Sequence, residues 1–156
     1  MIRATEVLDS IMKNVLAGLM AIMVIVVSWQ VATRYLLNSP SSYTEELASY
    51  LLIWISLLGA SYALRLKAHL GIDVLTRKLA GGSKRTMEIV ALLAVIFFSL
   101  LILVVGGLRL VQVTFYLNQL SAAFQVPVAY VYLVLPLSGV LMIYYSIYLI
   151  LYPENA

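Results

Sequence analysis

What most constrains this chain is a series of apolar runs that contain no charged residue and are bracketed by charges. Residues 14–33 give 20 uncharged positions between Lys13 and Arg34, residues 47–64 give 18 between Glu46 and Arg65, and residues 89–108 give 20 between Glu88 and Arg109. A fourth run lies in the uncharged stretch 110–152, from about residue 126 onward. A helix needs roughly 17–25 apolar residues to cross about 30 Å of hydrocarbon. No water is available there to the peptide groups, so a spanning segment must satisfy its own N–H and C=O groups. Four helices are the natural outcome. The expected fold is an all-α integral membrane protein, a single membrane domain over 1–156 with spans near 14–35, 45–64, 86–108 and 127–151. A signal peptide is the rival reading of the first run, but its apolar part is too long and no A-x-A site follows.

Composition agrees and removes several function classes. The chain is 63% hydrophobic and 11% charged, whereas soluble domains are about 45–50% apolar and about 25% charged. With no Cys, disulfides, thiol catalysis and Cys-ligated metals are excluded. One His and seven carboxylates leave few groups for a metal site or for acid–base chemistry. The net charge of +3 is dispersed between apolar runs, a poor pattern for nucleic acid. No H-E-x-x-H, phosphate loop or nucleophile elbow is present. No span centre carries Asp, Glu, Lys, Arg or His, the usual marks of an ion or substrate path. Ser28, Gln30, Ser56 and Ser99 do not form a coordinating cluster. The expectation is a protein that is not an enzyme, with no cofactor or metal, acting as an accessory or scaffold subunit.

Charge asymmetry sets the expected orientation. Basic residues favour the cytoplasmic side of short loops. With the N-terminus inside, Arg3, Lys13, Arg65, Lys67, Arg77, Lys78, Lys84 and Arg85 are cytoplasmic, and only Arg34 and Arg109 face outward. Four spans then bring the C-terminus back to the cytoplasm.

Glu45 and Glu46 stand together at the outer doorway of the second run, where a carboxylate is costly in hydrocarbon. Ser42-x-x-Glu45 fits a capping box, and Thr44 is a second candidate N-cap. In the first turn both glutamates meet unpaired N–H groups and the positive end of the helix dipole. An ion pair of one glutamate with Arg34, across the short 35–44 loop, is the other reading. Neither makes the pair a proton carrier.

The segment 65–88 is the most polar. Ile72, Leu75 and Leu79 share one helical face while Asp73, Arg77 and Lys78 lie mostly elsewhere, which predicts a short amphipathic helix in the inner interface, ended by Gly81-Gly82. Ser83 is placed to cap the third span. The eleven tyrosines fall largely near span boundaries and suit an aromatic belt, with Tyr35, Tyr43, Tyr50, Tyr130 and Tyr132 outside and Tyr144, Tyr145, Tyr148 and Tyr152 inside. Ala48, Ser49, Ser56, Gly59, Ala60 and Ala63 permit close helix packing in the second span. Pro136 is expected to kink the fourth span near Ser138 and Gly139. Residues 110–125 either extend the third helix beyond the membrane or lie on the outer surface.

Several residues carry paired readings. His69 with Asp73 at i, i+4 is either a pH-sensitive pair or an interfacial anchor. Arg65 and Lys67 serve topology and lipid phosphates, with contact to a partner subunit as the sharper alternative. Trp54 lies too deep for an aromatic belt and is expected to pack against another helix or a partner. Arg34 either meets a soluble partner or snorkels to the outer headgroups.

From Arg34 to Leu75 the order of features is Arg34-Tyr35, Asn38-Ser39-Pro40, Thr44-Glu45-Glu46, Trp54, Gly59-Ala60, Arg65, His69 and Asp73. This order resembles the small, DctQ-type membrane subunit of the tripartite ATP-independent periplasmic (TRAP) transporters, densest over about 40 residues and extended to the whole chain by size and hydropathy. Tyr43 stands where that family often has Trp, Ser49 where Arg is common, and Gly71 lies inside the H-x-x-x-D spacing. The resemblance implies a bacterial inner-membrane scaffold subunit that forms a heterodimer with a large TRAP membrane subunit. That large subunit would carry the substrate and ion sites and move as an elevator. A periplasmic substrate-binding protein would feed a symport, usually sodium-driven, of organic acids such as dicarboxylates or sialic acid. Membrane lipids are the remaining partners, and nucleic acid is not one. The contact residues carried by this reading are Arg34, Glu45, Glu46, Trp54, Arg65, His69 and Asp73. Two alternatives belong to other classes. One is a self-sufficient four-helix exporter acting as a homodimer, which lacks the intramembrane ionisable residue it would need. The other is a membrane enzyme or redox subunit, for which the chain offers almost no ligands.

Overall fold

A computed structural model describes residues 2–36, 41–66 and 82–152. These residues form helices α1 (Ile2–Leu36), α2 (Ser42–Arg65) and α3 (Gly82–Phe98), a π-helical segment (Ser99–Gly106), and helices α4 (Gly107–Tyr116), α5 (Ala129–Tyr132) and α6 (Val134–Leu151). Among the described residues four stretches are long and apolar enough to cross a membrane: Thr5–Leu36, Ser42–Arg65, Arg85–Tyr116 and Ala129–Leu151. The all-α, four-span fold is therefore as the charge-free runs require. The amphipathic helix expected within 65–88, the Asn38-Ser39-Pro40 turn and the Gly81-Gly82 terminus lie mostly outside the described residues.

Helix boundaries extend past the apolar runs. α1 begins at Ile2, well before the charged border at Lys13. The third span runs through α3, the π segment and α4 without interruption to Tyr116, so 110–116 extend the helix and the segment beyond them does not. The physical reason is that backbone bonding needs only a compatible sequence, and LRLVQVTFY contains neither Gly nor Pro. The end of α4 is set by Asn118, whose φ of 49° is left-handed. Asn118 N–H donates to the Phe115 carbonyl at 3.1 Å and Gln119 N–H to that of Thr114 at 3.2 Å. That pair of bonds is a Schellman cap, with asparagine in the position glycine usually takes.

Pro136 acts one turn upstream of itself. A proline lacks the N–H that would reach back four residues and its ring crowds that carbonyl, here Tyr132, the last residue of α5. The helix breaks at Leu133 and resumes at Val134, which leaves Pro136 in the first turn of α6.

The chain divides into two compact units, residues 1–59 with 110–134, and residues 60–109 with 135–156. Within the second unit the π segment and α6 come into close contact through small residues. A Cβ added at Gly139 would stand 2.8 Å from Leu103 Cβ and 3.2 Å from the Ser99 carbonyl oxygen, and one at Gly107 would stand 2.9 Å from Leu135 Cβ. Ser99 Oγ donates to Met142 Sδ at 3.6 Å, and Ser61 Oγ to the Ser138 carbonyl at 3.2 Å. Ser61, Ser99 and Ser138 are fully buried. Lipid gives helices little hydrophobic reason to associate, so close backbone approach and interhelical hydrogen bonds carry the packing. Tyr145 and Tyr148 are also buried here, at 0% and 1% exposure. They are core residues of this unit, which corrects the aromatic-belt assignment for both.

Candidate functional site

The N-terminal end of α2 holds the most unusual chemistry of the first unit. The helix starts at Ser42, and the first-turn bonds come from Ser41: Glu45 N–H donates to its carbonyl at 3.3 Å, and Thr44 Oγ1 donates to the same oxygen at 2.9 Å. Glu45 occupies the first turn and is exposed, as the dipole argument expects. Glu46 is half-buried and does something the local sequence does not announce. Its carboxylate accepts the backbone N–H of Ala123 at 2.7 Å and that of Ala122 at 3.2 Å, from the loop after α4. Tyr50, one turn along α2, donates its hydroxyl to the same carboxylate. Hydrogen bonds to a carboxylate are shorter and stronger than neutral ones, so Glu46 is a fixed anchor.

The anchored loop, residues 117–128, is closed upon itself. Leu120 and Pro127 face each other in an isolated antiparallel bridge, and Gln125 takes a left-handed φ of 55° at the reversal. Ser121 N–H donates to the Val126 carbonyl at 2.9 Å, and Val128 N–H to that of Gln119 at 3.0 Å. Phe124 N–H donates to Ser121 Oγ at 3.1 Å. The Phe124 ring meets Tyr43 edge-to-face, with centroids 5.5 Å apart. Between the loop and α2 lies an apolar cavity of about 190 Å³, lined by Leu47, Tyr50, Phe124, Val126, Pro127 and Val131 among others.

In the second unit two arginines engage the last turns of α6. Arg85 Nη2 donates to the Ile150 carbonyl at 2.8 Å, one of the acceptors a helix C-terminus leaves unpaired, and forms an ion pair with Glu88 at 3.5 Å. The Arg65 guanidinium stands 4.8 Å from the centre of the Tyr148 ring, within cation–π range. Arg65 thus has a packing partner inside its own chain in addition to the topological role expected of it.

The remaining expected contact residues are dispersed. Arg34 lies exposed in the last turn of α1; among the described residues it forms no ion pair with Glu45 or Glu46. Trp54 is half-buried in α2. His69 and Asp73 lie outside the described residues. No group of three potential His, Asp or Glu metal ligands occurs among the described residues. Sequence reasoning misses the loop–Glu46 contact, although an uncharged loop with many backbone donors signals a need for an acceptor.

The geometry describes anchoring and packing groups rather than reacting ones, and comparison with known proteins says in what setting. Residues 23–153 match the family described as tripartite ATP-independent periplasmic transporters, DctQ component. The chain belongs to the DctQ family. Similar DctQ-type proteins include the sialic acid TRAP transporter small permease protein of Vibrio cholerae, 31% identical over 101 residues, which is 65% of this chain and 58% of that protein. The C4-dicarboxylate TRAP transporter small permease protein of the same organism is 28% identical over 102 residues, covering 65% of this chain and 44% of that protein. Its counterpart in Rhodobacter capsulatus is 30% identical over 100 residues, covering 64% and 44%. The chain thus matches between about two-fifths and three-fifths of the length of these relatives. As a DctQ-type TRAP transporter component with four membrane-spanning helices, it is a multi-pass inner-membrane protein.

Proposed function

We propose that this chain is the stationary small subunit of a TRAP-type secondary transporter, bound beside a larger membrane subunit that carries the substrate and ion sites. A periplasmic binding protein delivers the substrate, an organic acid of the dicarboxylate or sialic acid class, and a sodium gradient drives its uptake. The observation that carries this reading is the use made of polar groups within the spans. No ionisable residue lies between the charged borders of the four runs other than tyrosine, and the buried hydroxyls of Ser61, Ser99 and Ser138 are bonded within the chain. Those three hydroxyls are committed to packing, and the spans offer no charged group for an ion or a carboxylate substrate at mid-membrane, whereas such a path ordinarily needs one. The relatives named for sialic acid and for C4-dicarboxylates support the substrate class.

In this reading the N-terminus is cytoplasmic, Glu46 and the 117–128 loop face the periplasm, and the Arg65 and Arg85 contacts lie at the inner boundary. Co-purification tests the assignment. A tagged chain expressed with its genomic neighbours should bring down a larger membrane protein in a one-to-one ratio; recovery as a homodimer alone would instead favour a self-sufficient exporter.

A further inference from the structure

The loop 117–128 has two properties that water does not require. First, it contains no charged residue, yet beside exposed Asn118, Gln119 and Gln125 it turns four large apolar side chains outward: Leu117 is 58% exposed, Leu120 52%, Phe124 40% and Val126 48%. Second, its backbone donors are bonded internally almost throughout. Leu117, Asn118 and Gln119 N–H groups go to carbonyls of α4, Ser121 to Val126, Gln125 to Ser121 and Val128 to Gln119. Phe124 uses Ser121 Oγ, Ala122 and Ala123 use Glu46, and Pro127 has no N–H.

A loop in water can leave such donors to solvent, whereas irregular backbone near hydrocarbon is tolerated only where its polar groups are satisfied. The segment is also tied to membrane-spanning helices at both ends, after Tyr116 and before Ala129. Tyr116 and Tyr130, at those two ends, are 86% and 55% exposed, and tyrosine favours the headgroup level.

We propose that the 117–128 loop is a lipid-binding interfacial element. It lies in the headgroup layer with Leu117, Leu120, Phe124 and Val126 against acyl chains, and Glu46 is the positioning residue that makes this possible. By taking the Ala122 and Ala123 donors, the Glu46 carboxylate removes the two peptide groups that would otherwise hold the turn in water. The inference rests on placement in a membrane and not on the transporter reading, so either can fail without the other.

The chain has no cysteine, so single-cysteine variants need no further substitution. Phe124→Cys and Leu120→Cys, each labelled with a small polarity-sensitive fluorophore, are reconstituted as the full chain in phosphatidylethanolamine–phosphatidylglycerol vesicles. Quenching is measured with aqueous iodide and with a lipid spin-labelled near its headgroup, and the free label–cysteine conjugate is the water reference. Both positions should show an iodide slope at least about fivefold below the reference together with strong quenching by the spin-labelled lipid, as insertion into the headgroup layer requires. Glu46→Ala in each background should raise the iodide slope at least about threefold with helix content by circular dichroism unchanged, and Glu46→Gln, which keeps an acceptor oxygen, should restore most of the protection. Iodide slopes near the reference without Glu46→Ala would overturn the proposal. So would protection that appears only when a larger membrane subunit is co-reconstituted and is not accompanied by lipid quenching, since the occupant would then be protein. An unchanged slope in Glu46→Ala would overturn the role given to Glu46.

Discussion

Glu46 and Ala123 are 77 residues apart in sequence and 2.7 Å apart in the fold, joined by a carboxylate that accepts a backbone N–H. The bond links the entry of the second span to the loop between the third and fourth. Its neighbour Glu45 remains a first-turn carboxylate.

The two glutamates should therefore respond differently to substitution. Glu45→Gln should leave the yield of folded protein and of any complex near wild type, because a first-turn dipole interaction is worth only about 0.3–1 kcal/mol. Glu46→Ala should increase protease cleavage within 117–128 and reduce complex yield, with Glu46→Gln intermediate. Limited proteolysis of the purified variants decides this; equal behaviour of Glu45→Gln and Glu46→Ala would remove the anchor.

Close approach at Gly139 predicts a different kind of sensitivity. A methyl group there would press on Leu103, Val104 and the Ser99 carbonyl at once, so Gly139→Ala should destabilise the chain by roughly 1–3 kcal/mol through overpacking. A methyl group at Gly59, inside α2, would meet nothing within 4 Å, and Gly59→Ala should be neutral or stabilising by up to about 1 kcal/mol. Thermal unfolding in one detergent gives the comparison, and equal losses at the two positions would contradict it.

The span count is legible in the sequence because charge-free runs of this length have one physical solution in lipid. Their helix ends are not, since helical bonding continues past Lys13 and past Arg109 wherever nothing breaks it. Asn118 is a readable stop, being a residue that tolerates left-handed φ, but its use depends on which turn reaches it first. Tyr145 and Tyr148 read as boundary residues because tyrosine favours the interface, and their burial follows from α6 packing that has no local signature. The Glu46 anchor is the hardest to foresee. The doorway carboxylates stand out at once, but the donors that Glu46 serves lie in another part of the chain, and the capping motif that the local sequence suggests calls for no distant partner.

The arginine contacts at α6 predict a modest and separable loss. Arg85→Gln removes a charge-assisted bond to the Ile150 carbonyl in a half-exposed setting, so about 1 kcal/mol is expected. Arg65→Leu removes the guanidinium from the Tyr148 ring, and an interaction of this kind is worth about 0.5–1 kcal/mol when partly exposed. Neither change should prevent membrane insertion. The measurement is unfolding of the two single variants and the double variant, and losses above about 3 kcal/mol in either single variant would indicate a charge stranded in a dry site.

Orientation is tested by labelling in intact cells. Ser41→Cys should react with an impermeant thiol reagent from the periplasm and Ser83→Cys only after the membrane is opened. The reverse pattern would overturn the topology drawn from the eight-to-two division of basic residues.

Uptake into proteoliposomes with an inward sodium gradient shows whether this chain supports transport without performing it. Vesicles holding this chain alone, the larger subunit alone, and both together are compared with the binding protein outside, using radiolabelled sialic acid and a four-carbon dicarboxylate in turn. Background uptake is expected from this chain alone, and gradient-dependent uptake of one substrate only when both membrane subunits and the binding protein are present. Gradient-driven uptake by vesicles containing this chain as their sole protein would contradict it.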